Sequence, residues 1–233
     1  MTCAQAMKEL KKMGTAQNRK VYARHGIGEK MFGVSFANLK KLQKAIKTDH
    51  ELAVELWETG NHDAQVLATM IADPDRLNSA TLDAWAKDLD NYGVTDMFSS
   101  LAGKTPYARK KMEKWTKSDS EWIGRAGWGL LCKVAAHNEE LTNEYFESYL
   151  STIESDIHTS KNRVRDAMNM AVINIALRNS GMEKKAIAAA KRIGKVDVDH
   201  GETGCKTPDA IEYIKKTKAY RAKQSAKAKS KHR

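Results

Sequence analysis

One carboxylate, one guanidinium and several aromatic or thioether side chains are spaced so that they could act together on a cation. With residues placed at about 100° per position, Val94, Met97, Phe98 and Leu101 form one apolar stripe on 94–102, and Asp96 falls opposite it. On 120–136 the stripe is Trp122, Ile123, Ala126, Leu130, Leu131 and Val134, with Arg125 and Trp128 together on the far face. On 161–179, Val164, Met168, Ala171, Val172 and Ile175 turn inward, while Asp166, Met170 and Ile173 do not; Arg163 joins Met170 in the outward set. On 62–73, His62 and Gln65 take the non-core face. Set on one surface, these groups suit a cationic ligand held beside phosphates. Ordinary roles stay open for each: Asp96 as a solvated residue favoured by the dipole near a helix start, Arg125 as an ion-pair partner, Trp128 as packing under a neighbouring helix.

Other constellations carry less. The run HGIGEKMFG has glycines spaced as in a phosphate loop, but no Gly-Lys-Ser/Thr follows and no strand precedes, so a mobile surface loop between helices is expected. His200 and Cys205 lack a second close pair to complete four ligands, so no metal is expected, and nothing calls for a cofactor. No Ser/His/Asp arrangement has a recognisable context. Tyr220 and Arg221 could stack on or pair with nucleic acid.

The elements that must position these residues are helices. Apolar residues recur at three and four in segment after segment, which predicts helices near 3–13, 16–25, 36–47, 49–59, 62–73, 79–89, 94–102, 106–117, 120–136, 142–153, 161–179, 183–193 and 207–219. Ser35 and Ser79 stand where an N-cap oxygen would satisfy free amides, and Pro106 stands at a first-turn position. Gly14, Gly60, Gly103 and Gly194 follow periodic runs as stop signals. No long period-two alternation occurs, so strands are expected to be absent or marginal. The helices pair as 49–59 with 62–73, 79–89 with 94–102, 106–117 with 120–136, and 142–153 with 161–179. Pairs repeating every 30–40 residues or so predict an all-α fold, an α-solenoid of HEAT-like helix pairs. Its curvature would give a concave face able to track duplex DNA.

Composition agrees: 41% hydrophobic and 30% charged residues, with three prolines in 233 residues, favour a helical domain with a real core. The net charge of +11 is unevenly placed. From 215 to 233 stand seven Lys, two Arg and no acid, a charge of +9 that leaves +2 for 1–214. The chain therefore divides into a helical domain, 1–214, and a basic tail, 215–233, expected to be disordered or to fray from the helix before it. Lys215, Lys218, Arg221 and Lys223 of that tail are candidates to meet phosphates. Three scattered cysteines argue against a disulfide framework and for a reducing cytosol. No apolar run is long enough to span a bilayer, and the first residues lack a signal-peptide core, so a cytoplasmic protein is expected.

Three ordered stretches then stand out: FGVSFANLKKLQKAIKTDHELAVELWETGNHDAQVLATMIADPDRL, DAWAKDLDNYGVTDMFSSLAGKTPYARKKMEKW, and EWIGRAGWGLLCKVAAH. With GETGCKTPDAIEYIKK they span roughly 20–216 and resemble the DNA alkylation repair family of HEAT-like proteins. The resemblance implies a solenoid cradling duplex DNA. It also implies, in the active members, excision of N3- and N7-alkylated purines without flipping the base into a pocket. On this likeness Asp96 matches the catalytic aspartate, and Arg125 of WIGRAGW matches an arginine that contacts the DNA backbone. Tyr92 falls where the active members place a tryptophan, and Met170 where they place a second. Tyr92 keeps a π face; Met170 has none, which weakens cation–π stabilisation.

The chemistry implied is simple. An alkylated purine is already cationic, so hydrolysis of its N-glycosidic bond needs an anion near the developing oxocarbenium ion and a placed water. Asp96 would supply the anion. The family also contains members that bind branched or distorted DNA without cleaving it, and FGV…TGN.DA…IADP is closer to that branch. Alkylpurine glycosylase, non-catalytic binder of damaged or branched DNA, and protein-interaction scaffold are therefore the three readings. A monomer is expected, since duplex DNA needs the concave face open.

Overall fold

The computed structural model describes residues 1–138 and 140–231, with side chains for all of these but 137 and 226–231. Among the described residues the chain is helical throughout, and its one β feature is an isolated antiparallel bridge between Gly14 and Val34. It divides into two compact units: Met1–Leu130 with Asp199–Cys205, and Leu131–Val198 with Lys206–Arg233. Continuous periodicity predicts a single helical domain over 1–214. The boundary falls within a helix, where periodicity gives no sign of it.

The first unit contains α1 (Cys3–Met13), α2 (Ala16–Arg24), α3 (Phe36–Ile46), α4 (His50–Glu58), α5 (His62–Ile71), α6 (Ser79–Lys87), α7 (Tyr92–Ala102), α8 (Ala108–Trp115) and the start of α9 (Glu121–His137). Each of the first seven starts on a side chain that accepts an otherwise orphaned amide. The caps are Thr2, Thr15, Ser35, Asp49, Asn61, Asn78 and Asn91. Ser79 is therefore the first residue of α6 and its cap is Asn78, because the amide oxygen one position earlier reaches the Ala80 and Thr81 N–H groups at 2.9 Å. Pro106 lies in the turn before α8.

Helix α5 is the hub of this unit, packing against α1, α3, α4 and α7. It is buried at every position from His62 to Thr69. That corrects the expectation of an open polar face at His62 and Gln65: with neighbours on most sides, both are buried and His62 reaches only a cleft. Its most consequential residue is Asp63, fully buried. The carboxylate accepts the backbone N–H groups of Phe32 (2.6 Å), Gly33 (3.0 Å) and Val34 (2.8 Å). The loop between α2 and α3 is thus tied at its end, and Tyr22 Oη adds a hydrogen bond to the Val34 carbonyl at 2.7 Å. Gly33 sits at φ +77°, and a Cβ there would come within 2.8 Å of Thr15 O and 2.7 Å of Arg19 N. The expected loop exists, but its FGV end is clasped by the core.

Aromatic rings connect the later helices. Trp57 and Trp85 stack 4.2 Å apart, and Phe98 bridges Trp57 and Trp115 at 5.8 and 5.5 Å. Beside them Asp83 of α6 binds α8: Lys111 and Lys114 Nζ each approach its Oδ2 at 2.8 Å, and Trp115 Nε1 donates to Oδ1 at 3.0 Å. Lys111 has only 3% of its side chain exposed, so its charge depends on Asp83 and on the Ser79 carbonyl at 2.6 Å.

The second unit holds the end of α9 with α10 (Asn143–Asp156), α11 (Asn162–Ala176), α12 (Ser180–Ile193) and α13 (Ala210–Lys231). Arg178 closes its α9 end. The guanidinium donates to the carbonyls of Ala135 (2.6 Å), Asn138 (3.0 Å) and Leu141 (3.1 Å), and lies 4.0 Å from the Phe146 ring centroid. Helix α12 is fastened to α10 by Lys185 with Glu147 and by a two-pronged pair of Arg192 with Glu154.

Where the basic composition predicts a disordered or fraying tail, helix α13 runs to Lys231. From Ala210 onward the chain has no Gly or Pro and is rich in Ala and Lys, strong helix formers. Packing of α13 on α11 and α12, with Ile214 fully buried, supplies the nucleus that a free tail would lack. Residues 232 and 233 lie outside the described residues.

Two carboxylates of the first unit, Asp63 and Asp83, anchor it in ways that stability measurements can read. Asp63→Ala strands three backbone donors, each costing about 1–3 kcal/mol when buried without a partner. A drop of more than ~3 kcal/mol in urea denaturation is expected. Partial burial pushes the Asp83 carboxyl up, but the hydrogen bonds from Lys111, Lys114 and Trp115 outweigh it and bring it down to about 2. A lowered carboxylate stabilises the fold fully above its unfolded value and loses that contribution as pH falls through its folded value. The Asp83 contribution therefore disappears between about pH 4 and pH 2. Melting temperatures across that window should fall less steeply in Asp83→Asn than in the unaltered chain.

Candidate functional site

The candidate site lies in the first unit, where α7 and α9 cross. Asn91 opens α7 by accepting the Val94 N–H at 3.1 Å, which sets Tyr92 in the first turn and Asp96 one turn on. The crossing is close because small residues meet there. Ser99 Oγ donates to the Ala126 carbonyl at 3.3 Å, and a Cβ on Gly129 would stand 3.1 Å from Ser99 Oγ. On the α8 side a Cβ on Gly127 would stand 2.4 Å from Thr116 N. Helix α9 is thus gripped by neighbours on two sides, so the far face of its wheel is not solvent.

This geometry brings Arg125 beneath Asp96. Arg125 Nε and Nη2 each donate at 2.9 Å to separate carboxylate oxygens, a two-pronged pair. The guanidinium carbon is 5.4 Å from the Tyr92 ring centroid, within cation–π range. Asp96 keeps 53% of its side chain exposed, whereas Arg125 keeps 9%. The arginine is a buried partner under an open carboxylate. Trp128 is buried too, at 1% exposure, and packs in the core; the sequence reading had put both on the open face.

Beside this pair opens a cleft of about 330 Å³ formed by α2, α3, α5 and α7. Ile27, Leu39, His62 and Val66 are its buried residues, while Asp96 and Phe36 are exposed at its rim. Tyr92 Oη is hydrogen-bonded to His25 Nδ1, with the rings edge to face 5.9 Å apart. Tyr22 meets His62 edge to face at 5.8 Å. Asn91 Oδ1 is committed to capping α7, so its Nδ2 is the donor toward His62 Nδ1 at 3.4 Å. That bond places a neutral His62 proton on Nε2. Burial pushes the His62 imidazole below its usual range, although Asp63 and Asp90 pull the other way. Burial, with Asp63 adding, raises the Tyr22 phenol.

Of the residues named from sequence, Tyr92, Asp96 and Arg125 come together here. His25, Tyr22 and Asn91 were missed. The first sits in the glycine-rich run, and only its bond to Tyr92, 67 positions along the chain, reveals it. The remaining candidates belong to the second unit. Arg163 and Met170 are half-buried on α11, and Ile173, expected to face outward, is buried at 1%. Lys215 pairs with Glu212 at 3.1 Å and Lys218 with Glu183 of α12. Arg221 lines a small polar cavity of about 140 Å³ with Arg178, and Lys223 is exposed. Among the described residues no cluster of three or more His, Cys, Asp or Glu could hold a metal, and no helix is long and apolar enough to cross a membrane.

The chain is 29% identical to an uncharacterised protein of Listeria innocua over 217 residues, covering 90% of this chain and 94% of that one. It is 28% identical to an uncharacterised protein of Listeria monocytogenes over 222 residues, with the same coverage. A solved structure superposes with a TM-score of 0.85 at 29% identity, covering 93% of both chains. That structure is described as representing a new family of proteins related to the HEAT-like repeat DNA glycosylases with affinity for branched DNA structures. The all-α, HEAT-like fold and the profile of the DNA alkylation repair enzymes, matched over residues 6–214, agree: the chain belongs to the DNA alkylation repair enzyme family.

Proposed function

We propose that the protein binds branched or distorted DNA in a DNA-repair setting and does not itself break the glycosidic bond. The observation that carries this is the two-pronged Arg125–Asp96 pair. Hydrolysis of an alkylpurine glycoside is promoted by an anion whose field reaches the cationic sugar. A carboxylate with both oxygens held by a buried guanidinium is one end of a neutral dipole, whose field falls off faster than a charge's. The Tyr92 ring already has the Arg125 cation near it. The structural relative described above has affinity for branched DNA, which supports the same direction. In this reading the Tyr92–Asp96 surface, held from beneath by Arg125, senses DNA shape, and the basic end of α13 attracts phosphates.

A second reading, hydrolysis of N3- or N7-alkylpurine glycosides, is favoured by one observation: Asp96 remains 53% exposed, open to a sugar brought against it. One pair of measurements separates the two. On the binding reading, a four-way junction is held more tightly than linear duplex of equal length, and neither the unaltered protein nor Asp96→Asn releases 7-methylguanine from duplex. Base release by the unaltered protein that disappears in Asp96→Asn would reverse the conclusion in favour of the enzyme.

The role of the basic helix end has its own test. Truncation after Tyr220 removes four Lys and two Arg. For every phosphate that the shortened chain no longer neutralises, the plot of log affinity against log salt should become shallower by about 0.9. A slope unchanged by the truncation would leave the DNA attraction to the rest of the chain.

A further inference from the structure

The cleft of about 330 Å³ is at the small end of the range of about 300–1,000 Å³ that ligand sites occupy, which suits one planar ring system. Its chemistry selects among such rings. Val21, Ile27, Leu39 and Val66 give it apolar walls, and the Tyr22, His25, His62 and Tyr92 rings stand around it. No Lys or Arg lines it, and Asp96 stands at its rim, so a phosphate or other anion is disfavoured. His62 is only 8% exposed, with its Nδ1 taken by Asn91. The Nε2 proton remains as a donor toward the cleft, near Gly93, where an added Cβ would stand 3.9 Å from Nε2. A buried donor among apolar walls matches a ring nitrogen or carbonyl of an uncharged heterocycle. Phe36 at the rim is 45% exposed with Lys40 5.0 Å from its centroid, giving a ring for an entering base and a cation for its phosphate.

We propose that this cleft receives a single unstacked, uncharged nucleobase from branched or bulged DNA. The proposal rests on the DNA-binding reading above and adds to it. A bulged base is already unpaired, and a pair at a branch point lacks the continuous stacking of duplex on both sides, so drawing a base out of either costs less than from intact duplex. Preference for branched DNA then has a structural origin: only such DNA presents a base cheaply to the Phe36 side of the cleft. Nothing is cleaved; the base is held, and His62 donates from Nε2 to its edge.

The test compares three duplexes by fluorescence anisotropy: one with a single-adenine bulge, one with an abasic analogue at the bulge, and one linear. The base-bearing bulge should bind about ten-fold more tightly than the abasic bulge, the scale of one buried stacking and hydrogen-bonding partner. Met97→Trp, which fills the cleft from α7, should reduce that ratio to near one while leaving affinity for linear duplex unchanged. Should that variant fail to melt cooperatively by circular dichroism, Phe36→Ala at the exposed rim should narrow the same ratio. Equal binding of base-bearing and abasic bulges, both above linear duplex, overturns the cleft and spares the shape-recognition reading. A base-dependent ratio that survives both substitutions places the base elsewhere and also overturns it. Equal binding of all three DNAs defeats both readings together.

Discussion

The first unit depends on one buried carboxylate. Asp63 has no exposure, and its oxygens accept three consecutive backbone N–H groups of the 32–34 loop. A carboxylate removed from water is costly unless its lone pairs are filled, and amide donors from a tight loop fill them. The exchange works both ways, since the loop's amides have no strand or helix partner of their own. With the loop fixed, His25 and Ile27 can line the cleft, and His62, beside Asp63 on α5, forms part of its floor. Gly14 and Gly33 are conditions for the same arrangement: a Cβ on Gly14 would stand 2.2 Å from Phe32 O.

A second constraint is the crossing of α7 and α9. Small side chains let the backbones approach, as at Ser99 and Gly129, and the closeness carries Arg125 under Asp96. The consequence for chemistry is direct. Asp96 and Arg125 are locked to one another. Two hydrogen bonds at 2.9 Å to a guanidinium that is 9% exposed leave the carboxylate open to solvent but electrostatically compensated. Shape recognition needs no uncompensated anion, and a neutral polar surface beside rings suits DNA whose bases are displaced.

In the second unit the charges are arranged differently. Arg178 satisfies carbonyls at the end of α9, where a cation complements the helix dipole. Lys218 answers Glu183 and Lys215 answers Glu212, so the first turns of α13 use their cations to stay folded. Beyond Tyr220 the chain carries cations without an acid, and the first of them, Arg221 and Lys223, are exposed to solvent.

Periodicity read from the sequence was enough to determine every helix to within a few residues, from Cys3–Met13 through Ser180–Ile193, because an amphipathic stripe and a capping side chain are local signals. Resemblance carried by NYGVTD and WIGRAGW determined the family and put Tyr92, Asp96 and Arg125 in view. The chain alone did not decide which faces meet solvent. A helical wheel counts one apolar stripe, but α5 and α9 have neighbours on several sides, so His62, Gln65, Arg125 and Trp128 are buried. Composition pointed the basic segment away from stable structure, since a Lys-rich run is helical only when something nucleates it, as burial of Ile214 does here. Tertiary structure alone paired Arg125 with Asp96 and His25 with Tyr92, and so decided what the site can do. Hydrogen bonds between residues 29 and 67 positions apart leave no periodic trace in the chain, because the distance that matters exists only after packing.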